Sequence, residues 1–109
     1  MQDPLADLES KFFKALANPV RLQILHYIGK EEQCQCDIIP AMGKAQSTIS
    51  QHLELLVRSG ILSKRQDGSR TLYKVSDQRV FQILNRVRNL VVQEINRISE
   101  STRDRNPPE

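Results

Sequence analysis

A chain of 109 residues with 39% hydrophobic side chains and a formal charge of +3 has enough apolar material for one modest core, and dimerisation would add burial that so small a domain needs. A sequence pI near 9.1 is compatible with nucleic acid, and no apolar run reaches the length of a membrane span. Met1-Gln2-Asp3-Pro4 lacks the charged start and apolar core of a secretory leader, so the chain reads as cytoplasmic.

Leu5, Leu8, Phe12 and Leu16 recur at helical spacing, with Phe13 beside them, and predict a first amphipathic helix. Asn18-Pro19 is a break: Asn suits an N-cap and Pro the first helical position. A second helix follows through Val20, Ile24, Leu25 and Ile28 and stops near Gly29. Glu31 to Gln35 reads as a short polar connection, after which a short third helix begins at Cys36 or Asp37 and ends near Met42-Gly43. A fourth helix, roughly Gln46 to Ser59, is closed by Gly60. Its stripe of Ile49, Leu53, Leu56 and Val57 faces inward, and the opposite face carries Gln46, Ser47, Ser50, Gln51 and Glu54.

The period then changes. Runs at 61–65 and 70–75 flank Gln66-Asp67-Gly68-Ser69, and Asp-Gly between two β-capable runs signals a hairpin. Asp77 is placed to cap a long last helix through Val80, Phe81, Leu84, Val87, Val91, Ile95 and Ile98. From Ser99 the apolar pattern stops, which predicts one domain over residues 1–98 and a disordered tail over 99–109. Three helices, a polar helix, a basic hairpin and a closing helix describe a winged helix-turn-helix with a two-stranded wing, a mainly α, small α+β domain.

In such a domain the polar helix enters the major groove with its N-terminal residues at base edges. Gln46, Ser47, Thr48, Ser50, Gln51 and His52 supply short donors and acceptors on its first turns, and Gln can pair bidentately with adenine. Lys44 and Arg58, at the two ends of that helix, join the DNA-contact candidates, as do Lys64, Arg65, Arg70 and Lys74 on the hairpin, where they can meet phosphates. A polar helix start is by itself often only a cap and a solvated face; the ordered combination is what carries the reading. No Ser-His-Asp set, phosphate loop or paired carboxylates can be assembled, so no enzyme is indicated. A winged helix used only for protein interaction stays the non-DNA alternative.

The segments NPVRLQIL, CQCDI, QSTISQHLELLVRSGIL and GSRTLYKV resemble the ArsR/SmtB family of metal-sensing repressors, over about Phe12 to Asp77. The Cys-x-Cys-Asp resembles the arsenic- and cadmium-type branch. The resemblance implies a homodimeric winged-helix repressor that leaves an inverted-repeat operator on double-stranded DNA when an effector binds. It also implies an interface built by the first and last helices. Leu5, Leu8, Phe12, Leu84, Val87, Val91 and Ile95 are the interface candidates, since the last helix has more apolar surface than one small domain needs.

Cys34 and Cys36 are expected to be too close for an easy disulfide with each other, and in a reducing compartment two cysteines read as free thiols, metal ligands or redox sensors. They are spaced to hold one soft ion, As(III), Cd(II) or another thiophilic inducer. Cys36, at or beside a helix N-cap, should have a lowered thiol pKa. The three-sulfur arsenite pattern of the resembling sensors is one sulfur short here, so a third ligand would come from Asp37, His26, Asp3, Asp7 or an external thiol. Residues 77–98 contain no histidine, which counts against the family's zinc site on that helix. Two effector readings remain, a thiophilic inducer at Cys34 and Cys36 and a thiol redox switch using the same pair. No cofactor is required by either.

Overall fold

The computed structural model describes residues 3–105, the side chains of 102–105 excepted. Five helices and three short strands follow in the order α1 (Pro4–Leu16), α2 (Pro19–Ile28), β1 (Gln33–Cys34), α3 (Gln35–Met42), α4 (Gln46–Arg58), β2 (Leu62–Asp67), β3 (Arg70–Val75) and α5 (Arg79–Arg105). The chain divides into two compact units, residues 1–78 and α5 with its continuation.

In the first unit the helix starts follow their cap chemistry. Asn18 Oδ1 accepts from the backbone N–H groups of Val20 and Arg21 at 2.9 and 3.1 Å, and Pro19 takes the first helical position. Two orphan donors are thereby satisfied before the helix has closed its first turn. The core is continuous: Ile24, Leu25 and Ile28 of α2, Ile38 of α3, Ile49, Leu53 and Leu56 of α4, and Ile61, Leu62 and Val75 around the sheet are all buried. The inward stripe expected for the fourth helix is therefore its buried face, with Val57 at half-burial on its edge. The helix closes in a Schellman motif, in which Gly60 N–H bonds Val57 O and Ile61 N–H bonds Leu56 O, both at 3.0 Å. Gly60 carries the required positive φ of 78°, and the chain turns directly into β2.

The wing differs from expectation in one strand. The sheet has three strands in the order β1-β3-β2, all antiparallel, because Gln33 pairs with Tyr73 and Cys34 with Leu72. The polar connection leaves its last residues extended, and the free edge of β3 accepts them; Cys34 is buried as a result. β2 and β3 pair from Leu62↔Val75 to Asp67↔Arg70, so the loop is only Gly68-Ser69. Of these two only Gly68 has positive φ, 63°, which is the type II′ pattern with Gly first rather than an Asp-Gly type I′ turn.

The third helix also begins earlier than expected, at Gln35, with Cys34 and not Cys36 as its N-cap. β1 runs straight into α3, so the extended cap residue and the last strand residue are the same residue.

α5 is a 27-residue helix. The tail expected from Ser99 is helical to Arg105, and 106–109 lie outside the described residues. Arg97 and Glu94, one turn apart, form an ion pair that supports the later turns. Its apolar residues separate into two groups: Val80, Phe81 and Leu84 are buried, whereas Val87, Leu90, Val91, Val92, Ile95 and Ile98 are exposed.

Candidate nucleic-acid interface and cysteine site

The polar face of α4 is where the sequence places it. Gln46, Ser47, Thr48 and Gln51 are exposed on the first turns, and Lys44 is exposed in the turn before them. No side chain caps this helix, since its N-cap is Ala45. Its first N–H groups are left for solvent or for an anion, as at helix N-termini that meet phosphate. Arg58 is exposed at the other end, about 18 Å away by helical rise. There it lines a cleft with Leu8, Phe12 and Leu55, and the structure does not bring it to the reading end.

Two of the expected readers are turned to internal duties. His52 is half-buried, and its Nδ1 accepts from Arg21 Nη1 at 3.2 Å. Burial first, and the Arg21 charge second, hold its pKa below the ordinary value, so the neutral ring is the form that fits. Arg21 itself was not singled out by sequence reasoning. It donates to Ala15 O at 2.6 Å and Lys14 O at 3.1 Å as well, tying the end of α1 to α2 and α4. No local signal in NPVRLQIL marks that role, because all its partners are distant in sequence or backbone carbonyls.

Ser50 is the other. Its Oγ accepts from Gln35 Nε2 at 3.4 Å, and Gln35 Oε1 accepts from the Tyr73 hydroxyl at 3.1 Å. Burial pushes the Tyr73 hydroxyl pKa up, with Glu54 as a second cause, so the phenol stays a donor. Gln35 thus bridges the reading helix and the wing. It is the middle residue of Cys-x-Cys, and only the fold shows that its side chain points both ways.

The four hairpin cations divide evenly. Arg65 makes a bidentate pair with Glu32, at 2.8 and 2.7 Å, which holds the Glu32 carboxyl below the usual carboxylate range, and Lys64 lies 3.6 Å from Glu54. Both pairs are exposed, so each is worth little for stability, but each engages a cation that DNA would need. Arg70 and Lys74 are exposed with no ion pair among the described residues.

Cys34 and Cys36 are joined by a disulfide, contrary to the free thiols expected, and no described cysteine is free. An extended Cys34 followed by the first helical turn sets the Cα atoms 5.1 Å apart, inside the ordinary disulfide range. The Cys36 N–H also donates to Cys34 Sγ at 3.1 Å. Cys34 is 3% exposed, whereas Cys36 is at the surface. Among the described residues no group of three or more His, Cys, Asp or Glu could hold a metal, so Asp37, His26, Asp3 and Asp7 do not complete a ligand set with the pair. The disulfide borders a cleft of about 410 Å³ that continues past Ile39 to Gln46, at the start of α4, and to Arg70 and Thr71, at the wing turn. The cysteine pair and two of the expected DNA-contact residues, Gln46 and Arg70, thus line one cleft.

The interface candidates are exposed on each unit taken by itself. Leu5 and Leu8 on α1, and Val87, Val91 and Ile95 on α5, are each at least half exposed. Phe12 is half-buried and packs edge-to-face on Phe13 at 5.8 Å. Leu84, expected on the same stripe, is already buried in the single chain. No described helix is long and apolar enough to cross a membrane.

Residues 18–64, from the Asn18 cap through α4 to Lys64, match the family described as "Bacterial regulatory protein, arsR family". The chain is 39% identical over 74 residues to a probable mercury resistance operon repressor of Streptomyces lividans, across 68% of this chain and 59% of that one. It is 38% identical over 82 residues to an HTH-type transcriptional regulator of Methanocaldococcus jannaschii, across 74% of this chain and 92% of the other. The solution structure of a homodimeric winged helix-turn-helix DNA-binding domain from Mycobacterium bovis, a possible ArsR-family regulator, superposes with a TM-score of 0.75 at 29% identity, covering 85% of this chain and 90% of that one.

Proposed function

This chain belongs to the arsR family of bacterial regulatory proteins, and we propose on that footing that its homodimer represses transcription from an inverted-repeat operator, with affinity set by the chemistry of Cys34 and Cys36. The family is one of winged helix-turn-helix DNA-binding regulators and not of enzymes. Gln46, Ser47, Thr48 and Gln51 read bases, Lys44, Arg70 and Lys74 meet phosphates, and Lys64 and Arg65 join them only when released by Glu54 and Glu32. A second copy covers the exposed stripe of α5 and the outer face of α1, and the two-fold axis sets the operator's symmetry. That pairing leaves Leu84 to its own chain.

One observation carries the effector reading: the Cys34–Cys36 disulfide encloses Gln35, whose amide engages both Ser50 of α4 and Tyr73 of β3. In the disulfide form Ser50 is occupied, and the spacing between the reading helix and the wing is fixed by that bridge. In the dithiol form the loop is longer by one broken bond, Gln35 is no longer held, and Ser50 is available to DNA. The disulfide form is accordingly the weak binder and the dithiol form the repressor. The two sites are coupled only by their differential stability in the two forms.

A second reading rests on the likeness to a protein named as a mercury resistance repressor. Once reduced, Cys34 and Cys36 present two thiolates to one thiophilic ion, a set that suits two-coordinate binding and falls short of three. Mercuric ion releasing the reduced protein from DNA, with cadmium and arsenite without effect, supports that reading; no release by any of the three removes it. For the DNA interface, Gln51→Ala should weaken operator binding by about 1–3 kcal/mol while the dimer persists. Unchanged operator affinity contradicts the placement of α4 in the groove.

A further inference from the structure

The cleft beside the disulfide is built asymmetrically, and the asymmetry gives the reduction a direction. Cys36 is at the surface and Cys34 is buried. The cleft's one charged lining residue is Arg70, no acidic side chain lines it among the described residues, and its remaining walls are the disulfide, Ile39 and the polar Gln35, Gln46, Ser69 and Thr71. At about 410 Å³ it is the size of a small-ligand site. The buried sulfur also accepts the Cys36 N–H at 3.1 Å, at the start of α3. A donor aimed at that sulfur stabilises it as a thiolate and makes it the better leaving group.

Resting on the redox reading above, we infer that this cleft is the docking site of a small anionic thiol, which opens the disulfide by attacking Cys36 and forms a mixed disulfide there. The incoming thiolate sulfur bonds to Cys36 Sγ while the Sγ–Sγ bond breaks and its electron pair leaves on Cys34, as a thiolate held by the Cys36 N–H. A second thiolate then attacks the outer sulfur of the adduct, releasing the small-molecule disulfide and the Cys36 thiolate. Two electrons pass from two thiols to the protein. Arg70 draws the carboxylate or sulfonate of the thiol into the cleft. The adduct lies between Gln46 and Arg70, so the half-reduced protein is also displaced from DNA, and only the complete dithiol rebinds.

The test uses the disulfide form of the full chain with three probe thiols: 3-mercaptopropionate, 2-mercaptoethanol and cysteamine. Acid quenching, alkylation and peptide mapping should find the adduct on Cys36 and the alkyl group on Cys34. The anionic probe should react about two- to fivefold faster than the cationic one after correction for thiolate fraction, the worth of one exposed ion pair, and Arg70→Gln should abolish that preference. In the Cys34→Ser chain, where the introduced hydroxyl can still cap the helix, 3,3′-dithiodipropionate should leave a stable adduct on Cys36, and Cys36→Ser should react far more slowly. An adduct on Cys34, or a charge preference that survives Arg70→Gln, overturns the inference. Reduction by a phosphine, which leaves no adduct, tests the redox reading separately. A phosphine that alters operator affinity beside thiol chemistry mapped to Cys34 would sink this inference and leave the other standing.

Discussion

Replacing Gln35 by alanine removes the bridge between the cysteine loop and the reading helix without touching either sulfur. Two side-chain hydrogen bonds are lost, to Ser50 Oγ at 3.4 Å and from Tyr73 Oη at 3.1 Å. A typical intramolecular hydrogen bond contributes about 0.5–1.5 kcal/mol net, and the longer of these two belongs at the low end, so together they supply about 1.5 kcal/mol. Alanine is a good helix former, and the loss therefore falls on the bridge and not on α3. If the whole of that energy separates the two redox forms, it sets a ceiling of about tenfold per protomer, and on the order of a hundredfold for the dimer with its two bridges, on the difference in operator affinity that Gln35 can carry. Fluorescence anisotropy with a labelled operator duplex, run on oxidised and reduced samples of both proteins, reads it directly. The reduced variant should bind like reduced wild type, and the oxidised variant should bind nearly as tightly as the reduced one. An oxidised-to-reduced ratio that Gln35→Ala leaves unchanged refutes the role given to this side chain.

Glu32→Gln releases Arg65 from its bidentate pair, so non-specific duplex affinity should rise and the salt slope steepen by about one unit per protomer, about two for the dimer; an identical slope would mean that Arg65 never reaches phosphate. The His52 ring gives a pH signature. Its pKa is lowered on folding from an ordinary 6.5, so its contribution to stability is fully present above pH 6.5 and declines as the pH falls from there toward the lower folded value, while the unfolded chain takes up the proton. His52→Asn keeps an acceptor for Arg21 and does not titrate, and urea midpoints between pH 7.5 and 5.5 should fall less steeply than in wild type. Equal slopes would assign the pH dependence to other groups.

The Asn18-Pro19 start, the Gly60 stop and the inward stripe of Ile49, Leu53 and Leu56 were legible because each rests on local chemistry among near neighbours in sequence, whereas the start of α3 and the end of α5 were not. β1 was not, since a two-residue strand has no periodicity and exists only because β3 offers an edge. The disulfide was missed for a related reason. A Cys-x-Cys reads as cramped from its spacing alone, and spacing does not show that Cys34 ends a strand where Gln35 begins a helix. The DNA-contact candidates were chosen by residue type, which finds the exposed Gln46 and Gln51 but cannot tell that His52 faces Arg21, that Arg65 faces Glu32 or that Ser50 faces Gln35. Those pairings span 31, 33 and 15 positions respectively. The helical run from Ser99 to Arg105 lacks apolar residues altogether, and its helicity was invisible to a reading based on apolar spacing.

Operator affinity of the same preparation in its dithiol and disulfide forms, measured beside the Cys34→Ser, Cys36→Ser double variant, tests the central claim most directly. The dithiol form should bind about tenfold more tightly or better, oxidation should release the duplex, and the double variant should bind it and ignore both oxidant and reductant. Equal affinities for the two wild-type forms, or a double variant that still lets go on oxidation, would contradict it.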